Sequence, residues 1–228
     1  MPVRNVSNRG RRNVIGYFPS LKMHRMVQFE STLERDLIYL LDFAPQVAEF
    51  EEQPLKLEYE YEGKILTYTP DFQVKFRNDQ RSLLECKPAC FVGHEENQRK
   101  FKAAQAWCWG KGWRFQVITD EQLRQGYQIE NIKLLTQHAR HEVKAEAKGR
   151  IFAFLAYATQ PLTISDVMLG VNPANPATVI MPILHMAYHH ELHLPLKEAP
   201  ITPQSSISLN ASWQPMELEN EYRTIFDE

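Results

Sequence analysis

The sequence predicts an α/β protein in which a mixed sheet flanked by helices is followed by a smaller, mostly helical domain. Three features predict this. An amphipathic helical period opens at Ser31 and gives way to a series of short apolar runs separated by turn residues. A second helical stretch at 94–109 leads into one more apolar strand at 113–119, returning the chain to the sheet. Beyond residue 141 the texture changes to short helical runs closed by two strand-like segments.

Each element has a local reason. Ser31 and Glu34 fit a capping box, Leu33, Leu37, Ile38, Leu40 and Leu41 supply an apolar stripe, and Pro45 ends the helix. Strand-like runs follow at 47–50 and 55–61, and Glu62-Gly63 marks a turn into 64–68. Residues 71–76 and 82–87 read as the two arms of a hairpin around a polar turn, and Pro88 ends the ladder because it has no N–H to give. In the 94–109 helix Phe101, Ala104, Ala106 and Cys108 fall on or near one side, and Gly110 and Gly112 stop it. Asp120 opens a further short helix.

In the C-terminal part, 142–149 reads as a helical linker or the start of the next helix, and 151–159 as a buried helix. Pro161-Leu162-Thr163 is a breaker, 165–169 a second helix, and 176–188 a third, with Pro182 expected to kink or shorten it. Segments 192–196 and 206–209 could pair as a two-stranded wing, which makes a winged-helix-like module. The expected organisation is a basic N-terminal arm at 1–28, a catalytic-type domain at 29–140, the winged-helix-like domain at 141–210 and an acidic tail at 211–228.

Composition narrows the class without naming it. At 228 residues with 43% hydrophobic and 11% aromatic side chains, the chain has ample material for a packed core, which excludes wholesale disorder. Net charge is only −2, so the sum does not announce a nucleic-acid binder, but its placement is uneven. Arg4, Arg9, Arg11, Arg12, Lys22 and Arg25 stand before residue 30 with no acid among them, as an arm that follows a phosphate backbone would. Five acids against Arg223 alone close the chain at 217–228, a pattern suited to docking on a protein partner. Both termini also fit simple solvated ends. Cys86, Cys90 and Cys108 form neither a disulfide framework nor a paired metal-ligand motif, which suits a reducing cytoplasm. His189, His190 and His193 could in principle hold a metal, although a histidine-rich helix end is the favoured reading. No signal peptide and no membrane-spanning apolar run is expected.

The chemistry concentrates in the 71–87 hairpin. Side chains alternate faces along a strand, so Glu85 and Lys87 share one face while the Cys86 thiol points to the other. If the turn centres on Asp79, Asp71 stands opposite Lys87 and Gln73 opposite Glu85. Two carboxylates and an ammonium then meet at one end of the hairpin. Mg²⁺ takes carboxylate and carbonyl oxygens and keeps several waters, so Asp71, Glu85 and the Cys86 carbonyl are candidate ligands. Lys87 is placed to steady an incoming hydroxide or charge developing on a phosphate. Glu34, at the edge of its helix's apolar face, is a third candidate carboxylate. The plain alternatives are a cross-strand surface salt bridge for the hairpin and the capping role for Glu34.

Pro70-Asp71 followed by Glu85-Cys86-Lys87 resembles the PD-(D/E)xK signature of restriction-endonuclease-like nucleases. With Phe29-Glu30-Ser31-Thr32-Leu33-Glu34-Arg35, Glu52-Gln53-Pro54, Tyr68-Thr69-Pro70-Asp71-Phe72 and Leu84-Glu85-Cys86-Lys87-Pro88, the chain resembles the TnsA endonuclease subunit of heteromeric cut-and-paste transposases over about residues 25–130. The resemblance implies a restriction-endonuclease-like sheet, with Glu34, Asp71 and Glu85 holding catalytic Mg²⁺ (Mn²⁺ substituting) and Lys87 as base or stabiliser. It implies double-stranded transposon-end DNA as substrate, cut at the 5′ ends while a DDE transposase subunit cuts the 3′ ends. An AAA+ ATPase regulator is the second implied partner, and the bacterial cytoplasm at the nucleoid the implied location. The competing readings are a stand-alone restriction or resolvase-type nuclease and a non-catalytic DNA-binding adaptor.

Overall fold

The computed structural model describes residues 14–210, which form a mixed α/β protein with a four-stranded mixed sheet and eight α-helices among the described residues. The chain divides into two compact units, with the boundary between Leu123 and Arg124.

The first unit opens with a hairpin, β1 (Gly16–Ser20) and β2 (Arg25–Phe29), paired from Gly16 opposite Phe29 to Ser20 opposite Arg25. This is a correction: residues 16–28 were expected to belong to a basic N-terminal arm. Their basic, acid-free composition hides an alternation in which Phe18, Val27 and Phe29 are buried. The buried Asp42 carboxylate fastens the hairpin by accepting from Ser20 Oγ and from the amides of Leu21 at 3.2 Å and Lys22 at 3.1 Å. The remainder of the expected arm, residues 1–13, and the expected acidic tail, 211–228, lie outside the described residues.

Helix α1 (Thr32–Phe43) is capped by Ser31, whose Oγ accepts from the Glu34 amide at 3.1 Å. It buries Leu33, Leu37, Ile38, Leu40 and Leu41, the stripe expected from the sequence, and packs on β3 and β7. The main sheet has the order β3 (Val47–Glu52), β6 (Phe72–Phe76), β7 (Arg81–Cys86), β8 (Arg114–Ile118). The first three strands are antiparallel in turn, and β8 is parallel to β7. Parallel neighbours need a crossover, supplied here by α2 (Ala89–Val92) and α3 (Glu95–Lys111). Gly112, at φ +68°, takes the left-handed position that ends α3. The separate ribbon of β4 (Leu57–Tyr61) and β5 (Lys64–Tyr68) joins α3 and β7 in one buried cluster of Leu57, Tyr68, Leu83, Ala104 and Cys108. Helix α4 (Asp120–Leu123) closes the unit.

The second unit begins with α5 (Gln128–His138), which the sequence reading had assigned to the first domain. Its buried Asn131 ties the unit together, donating to the carbonyls of Leu196 and Ala199 at 2.8 Å each and accepting from the Ile201 amide at 2.9 Å. Helix α6 (Ala145–Ala156) starts inside the charged stretch and ends before residue 159. It is not buried all round: Ile151 and Leu155 are inside, whereas Phe152, Ala153 and Ala156 are exposed. Strand β9 (Leu162–Thr163) replaces the expected breaker, and Thr163 then caps α7 (Ile164–Val171) in a full capping box with Asp166. A 3₁₀ turn (Pro176–Val179) precedes α8 (Ile180–Tyr188). Pro182 sits in the first turn of α8, where a missing N–H costs nothing, so it shortens the α-helix without kinking its middle. Strands β10 (Leu192–His193) and β11 (Ser206–Leu209) pair, and β9 adds to the far side of β11, giving three strands where two were expected. No single helix among the described residues is long and apolar enough to cross a membrane.

Candidate active site

The β6–β7 hairpin sets the site. Its observed register pairs Phe72 with Leu84 and Lys75 with Arg81. The expected centre at Asp79 is therefore one residue too late. The turn centres on Asn78, whose Oδ1 accepts from the Gln80 amide at 3.1 Å, while Asp79, at φ +63°, takes the left-handed closing position. The shift moves each pairing by two residues. It brings Asp71, just before β6, toward Glu85 and not Lys87, and it sets Gln73 opposite Leu83. A two-residue change preserves the face, so the alternation argument survives it.

Asp71 and Glu85 are held by different means. Asp71 follows the buried Pro70, and its Oδ2 accepts from the Cys86 amide at 2.7 Å, bridging the end of the hairpin. Glu85 is 4% exposed. Its Oε2 accepts from the Tyr68 hydroxyl at 2.6 Å, and its Oε1 lies 3.0 Å from Lys87 Nζ. The Lys87 amide donates to the Ile118 carbonyl at 3.0 Å, so β8 fixes the backbone from which the lysine projects. Glu34 is oriented by its own helix end. Its Oε2 accepts from the Glu30 amide and its Oε1 from Ser31 Oγ, both at 2.8 Å. The capping role expected as the plain reading of Glu34 is therefore present in a modified form, reaching one residue beyond the cap.

The electrostatics join what the hydrogen bonds leave separate. Burial, then the charges of Glu85 and Glu34, push the Asp71 carboxyl well above the usual carboxylate range, against the pull of the Cys86 amide and Lys87. Burial also raises Glu34, and the Glu30 and Glu85 charges add to it, while its bonds from Glu30 and Ser31 oppose it. For Lys87 burial alone would lower the ammonium's pKa, but the Glu85 carboxylate and then Asp71 outweigh it, so the net direction is upward. Burial, with Glu85 second, raises the Tyr68 hydroxyl, which stays a proton donor to that carboxylate. Burial and the surrounding carboxylates raise the Cys86 thiol, so it is neutral and no nucleophile.

The fold thus brings Asp71, Glu85, Cys86 and Lys87 together through direct bonds, and Glu34 approaches them through its charge. Three carboxylates with one ammonium leave an excess of negative charge at a partly dry site, a donor set of oxygens that suits a hard dication. Among the described residues no three His, Cys, Asp or Glu side chains already form an ion-holding cluster. The histidines at the end of α8 do not form one either. His189 Nε2 contacts the Ala139 carbonyl at 2.9 Å, and His193 is exposed.

Sequence reasoning assigned no role to two groups that shape this site. Tyr68 is the last residue of β5, and only its tertiary packing turns its hydroxyl toward Glu85. Glu52 ends β3 and Gln53 follows it. Glu52 is 5% exposed and takes a two-pronged bond from Arg25 at 2.7 and 2.6 Å, plus the Gln28 amide at 3.3 Å. The sequence signal was the Glu52-Gln53-Pro54 run, which carries part of the family resemblance without marking a role for either residue.

Comparison with protein families assigns a class to this arrangement: residues 44–120, about a third of the chain, match an endonuclease family. The matching family is the TnsA-like endonuclease N-terminal domain, so this segment is a TnsA-like endonuclease domain, which implies a nuclease. Asp71, Glu85, Cys86 and Lys87 lie inside the match, and Glu34 lies before it. No curated protein matches the chain.

Proposed function

We propose that the protein is a Mg²⁺-dependent DNA endonuclease subunit of a transposase, hydrolysing the 5′-end strands at double-stranded transposon ends in concert with a DDE transposase subunit. The observation that carries this reading is the meeting of Asp71, Glu85 and Lys87 at one hairpin end inside a TnsA-like endonuclease domain. Asp71, Glu85, Glu34 and the Cys86 carbonyl would hold the ion, with Mn²⁺ able to replace Mg²⁺. When bound, the ion supplies Lewis acidity at a phosphate oxygen and acidifies a water.

The protein groups have separable tasks in this reading. Tyr68 fixes the orientation of Glu85 by occupying one carboxylate oxygen, leaving the other to Lys87. Lys87 spans from that buried carboxylate to the surface, with 26% of its side chain exposed, where its ammonium meets a phosphate oxygen or the developing hydroxide. The Cys86 amide keeps Asp71 aimed at the same end of the hairpin. The mixed sheet with flanking helices supports a restriction-endonuclease-like assignment for the first unit.

For the second unit the order α6, β9, α7, α8, β10, β11 supports a winged-helix-like reading. Helix α8, the one such folds lay in a DNA groove, has every side chain from Pro182 to Tyr188 buried and packs against α5. That favours a role in contacting DNA backbone or a protein partner over reading bases through α8. The partners proposed are the DDE subunit and an AAA+ ATPase regulator, in the bacterial cytoplasm at the nucleoid. Three free cysteines are in keeping with that location. The test is strand-specific cleavage of transposon-end duplexes by the assembled complex: Asp71→Ala and Lys87→Ala should each abolish 5′-strand cutting while the complex still forms. Full 5′ cutting by either variant overturns the site assignment.

A further inference from the structure

We infer that Gln53 is a positioning residue that sets the spacing between Glu34 and Asp71, and thereby the affinity of the site for its dication. The inference rests on the metal-dependent reading of the site and assigns Gln53 a role within it. Gln53 follows β3 and touches both sides of the acidic cluster. Its backbone amide donates to the Asp71 carbonyl at 2.8 Å, fixing the start of the strand that carries that carboxylate. Its side-chain Nε2 donates to the Glu30 carboxylate Oε1. The Glu30 amide in turn donates to Glu34 Oε2 at 2.8 Å. One residue is thus bonded to the strand of Asp71 and, through Glu30, to the carboxylate of Glu34.

Two local costs mark the position as more than a turn. Gln53 adopts φ +45°, a left-handed conformation that non-glycine residues seldom take. Its Oε1 is buried with no hydrogen-bond partner. Rotating the amide would not remove that cost, because it would set the oxygen against the Glu30 carboxylate. Backbone strain and an orphaned acceptor beside a charged site are tolerated where the rest of the structure over-determines the position. Here the constraints are the Glu52–Arg25 pair one residue earlier and Pro54 one residue later. Glu34 lies on a helix and Asp71 just before a strand, and Gln53 bridges the two elements.

The experiment measures Mn²⁺ binding to the full-length protein by the loss of the free-ion electron paramagnetic resonance signal, with thermal unfolding of each variant alongside. Gln53→Glu keeps the shape but sets a carboxylate against Glu30, and should weaken Mn²⁺ binding about 10–100-fold, the usual effect of losing an outer-sphere partner. Gln53→Gly relieves the left-handed backbone and removes only the side chain, and should weaken binding similarly without lowering the unfolding temperature through strain. Combining Gln53→Glu with Glu30→Gln restores the bond with donor and acceptor exchanged, and binding should return to within about threefold of the parent protein. That rescue is not expected of a residue that merely fills space. Parent-like Mn²⁺ binding by Gln53→Glu or Gln53→Gly, or a folded double variant that stays weak, overturns the assignment. Asp71→Ala in the same assay separates the two levels. If it binds Mn²⁺ as the parent does, the site reading itself fails; if it loses binding while the Gln53 variants do not, only the role of Gln53 fails.

Discussion

Neutralising Asp71 should make the metal-free protein more stable while destroying its cutting activity. Asp71→Asn retains an oxygen to accept from the Cys86 amide, the hydrogen bond that orients the carboxylate among the described residues. It removes a negative charge raised in energy by burial and by Glu85 and Glu34. Residues placed opposite each other in a ladder have Cβ atoms about 4.5–5.5 Å apart, so the two carboxylates stand roughly 6 Å apart. At that separation and an effective dielectric constant near 20, like charges repel by about 3 kcal/mol. Glu34 adds to this, and attraction to Lys87 cancels a comparable amount. The net relief, with the burial cost included, is of order 1–3 kcal/mol. For a unit of this size each kilocalorie corresponds to about 4 °C in unfolding temperature. Thermal unfolding in chelator, read by circular dichroism for the parent and Asp71→Asn, checks it. Adding Mg²⁺ should stabilise the parent and leave the variant unmoved. A metal-free Asp71→Asn protein less stable than its parent would refute the claim that this cluster holds uncompensated charge.

Glu52→Gln should cost about 2–3 kcal/mol, since it breaks a charge-assisted pair beside the turn of the first hairpin, and Arg25 is exposed enough to soften the loss. Although burial pulls the other way, the Arg25 bond holds the Glu52 carboxyl below its ordinary value. The pair's stabilisation is therefore present above the unfolded-state pKa and lost as pH falls through the folded one, and urea unfolding of the variant should show a flatter acid limb. Lys22 gives the same direction of pH dependence for a different reason, the cost of burying its charge. Burial, only partly offset by Asp42, lowers its ammonium to about 7. Between that value and its ordinary 10.5 the unfolded chain binds the extra proton, so stability should rise by about 1–2 kcal/mol from pH 7 to 8.5. Lys22→Met should abolish that rise. In the second unit, Asn131→Ala removes a buried amide with three backbone bonds and should lower stability by about 3 kcal/mol in denaturant melts, leaving Mn²⁺ binding unchanged.

Much of the first unit was legible because local rules agreed with tertiary need. Helix α1 announced itself by a cap and a stripe, and Pro88 ended β7 where a ladder donor was no longer available. The first hairpin was missed because clustered bases dominated its reading, and the anchoring acid, Asp42, lies more than twenty residues away. The boundary between units was missed because α5 carries no marker of its partners; Asn131 makes its bonds some 65–70 residues further on.

By itself the sequence determined which chemical groups could meet. Strand alternation places Asp71, Glu85 and Lys87 on one face whatever even register the hairpin takes. Tertiary structure alone decided which of them touch. The turn closed on Asn78 because Asp79 accepted a left-handed backbone, so Asp71 moved toward Glu85 and Lys87 bonded along its own strand. Tyr68, Glu34 and Gln53 joined them through β5, α1 and the end of β3, contacts set by packing between elements distant in the chain, for which no local periodicity carries a signal.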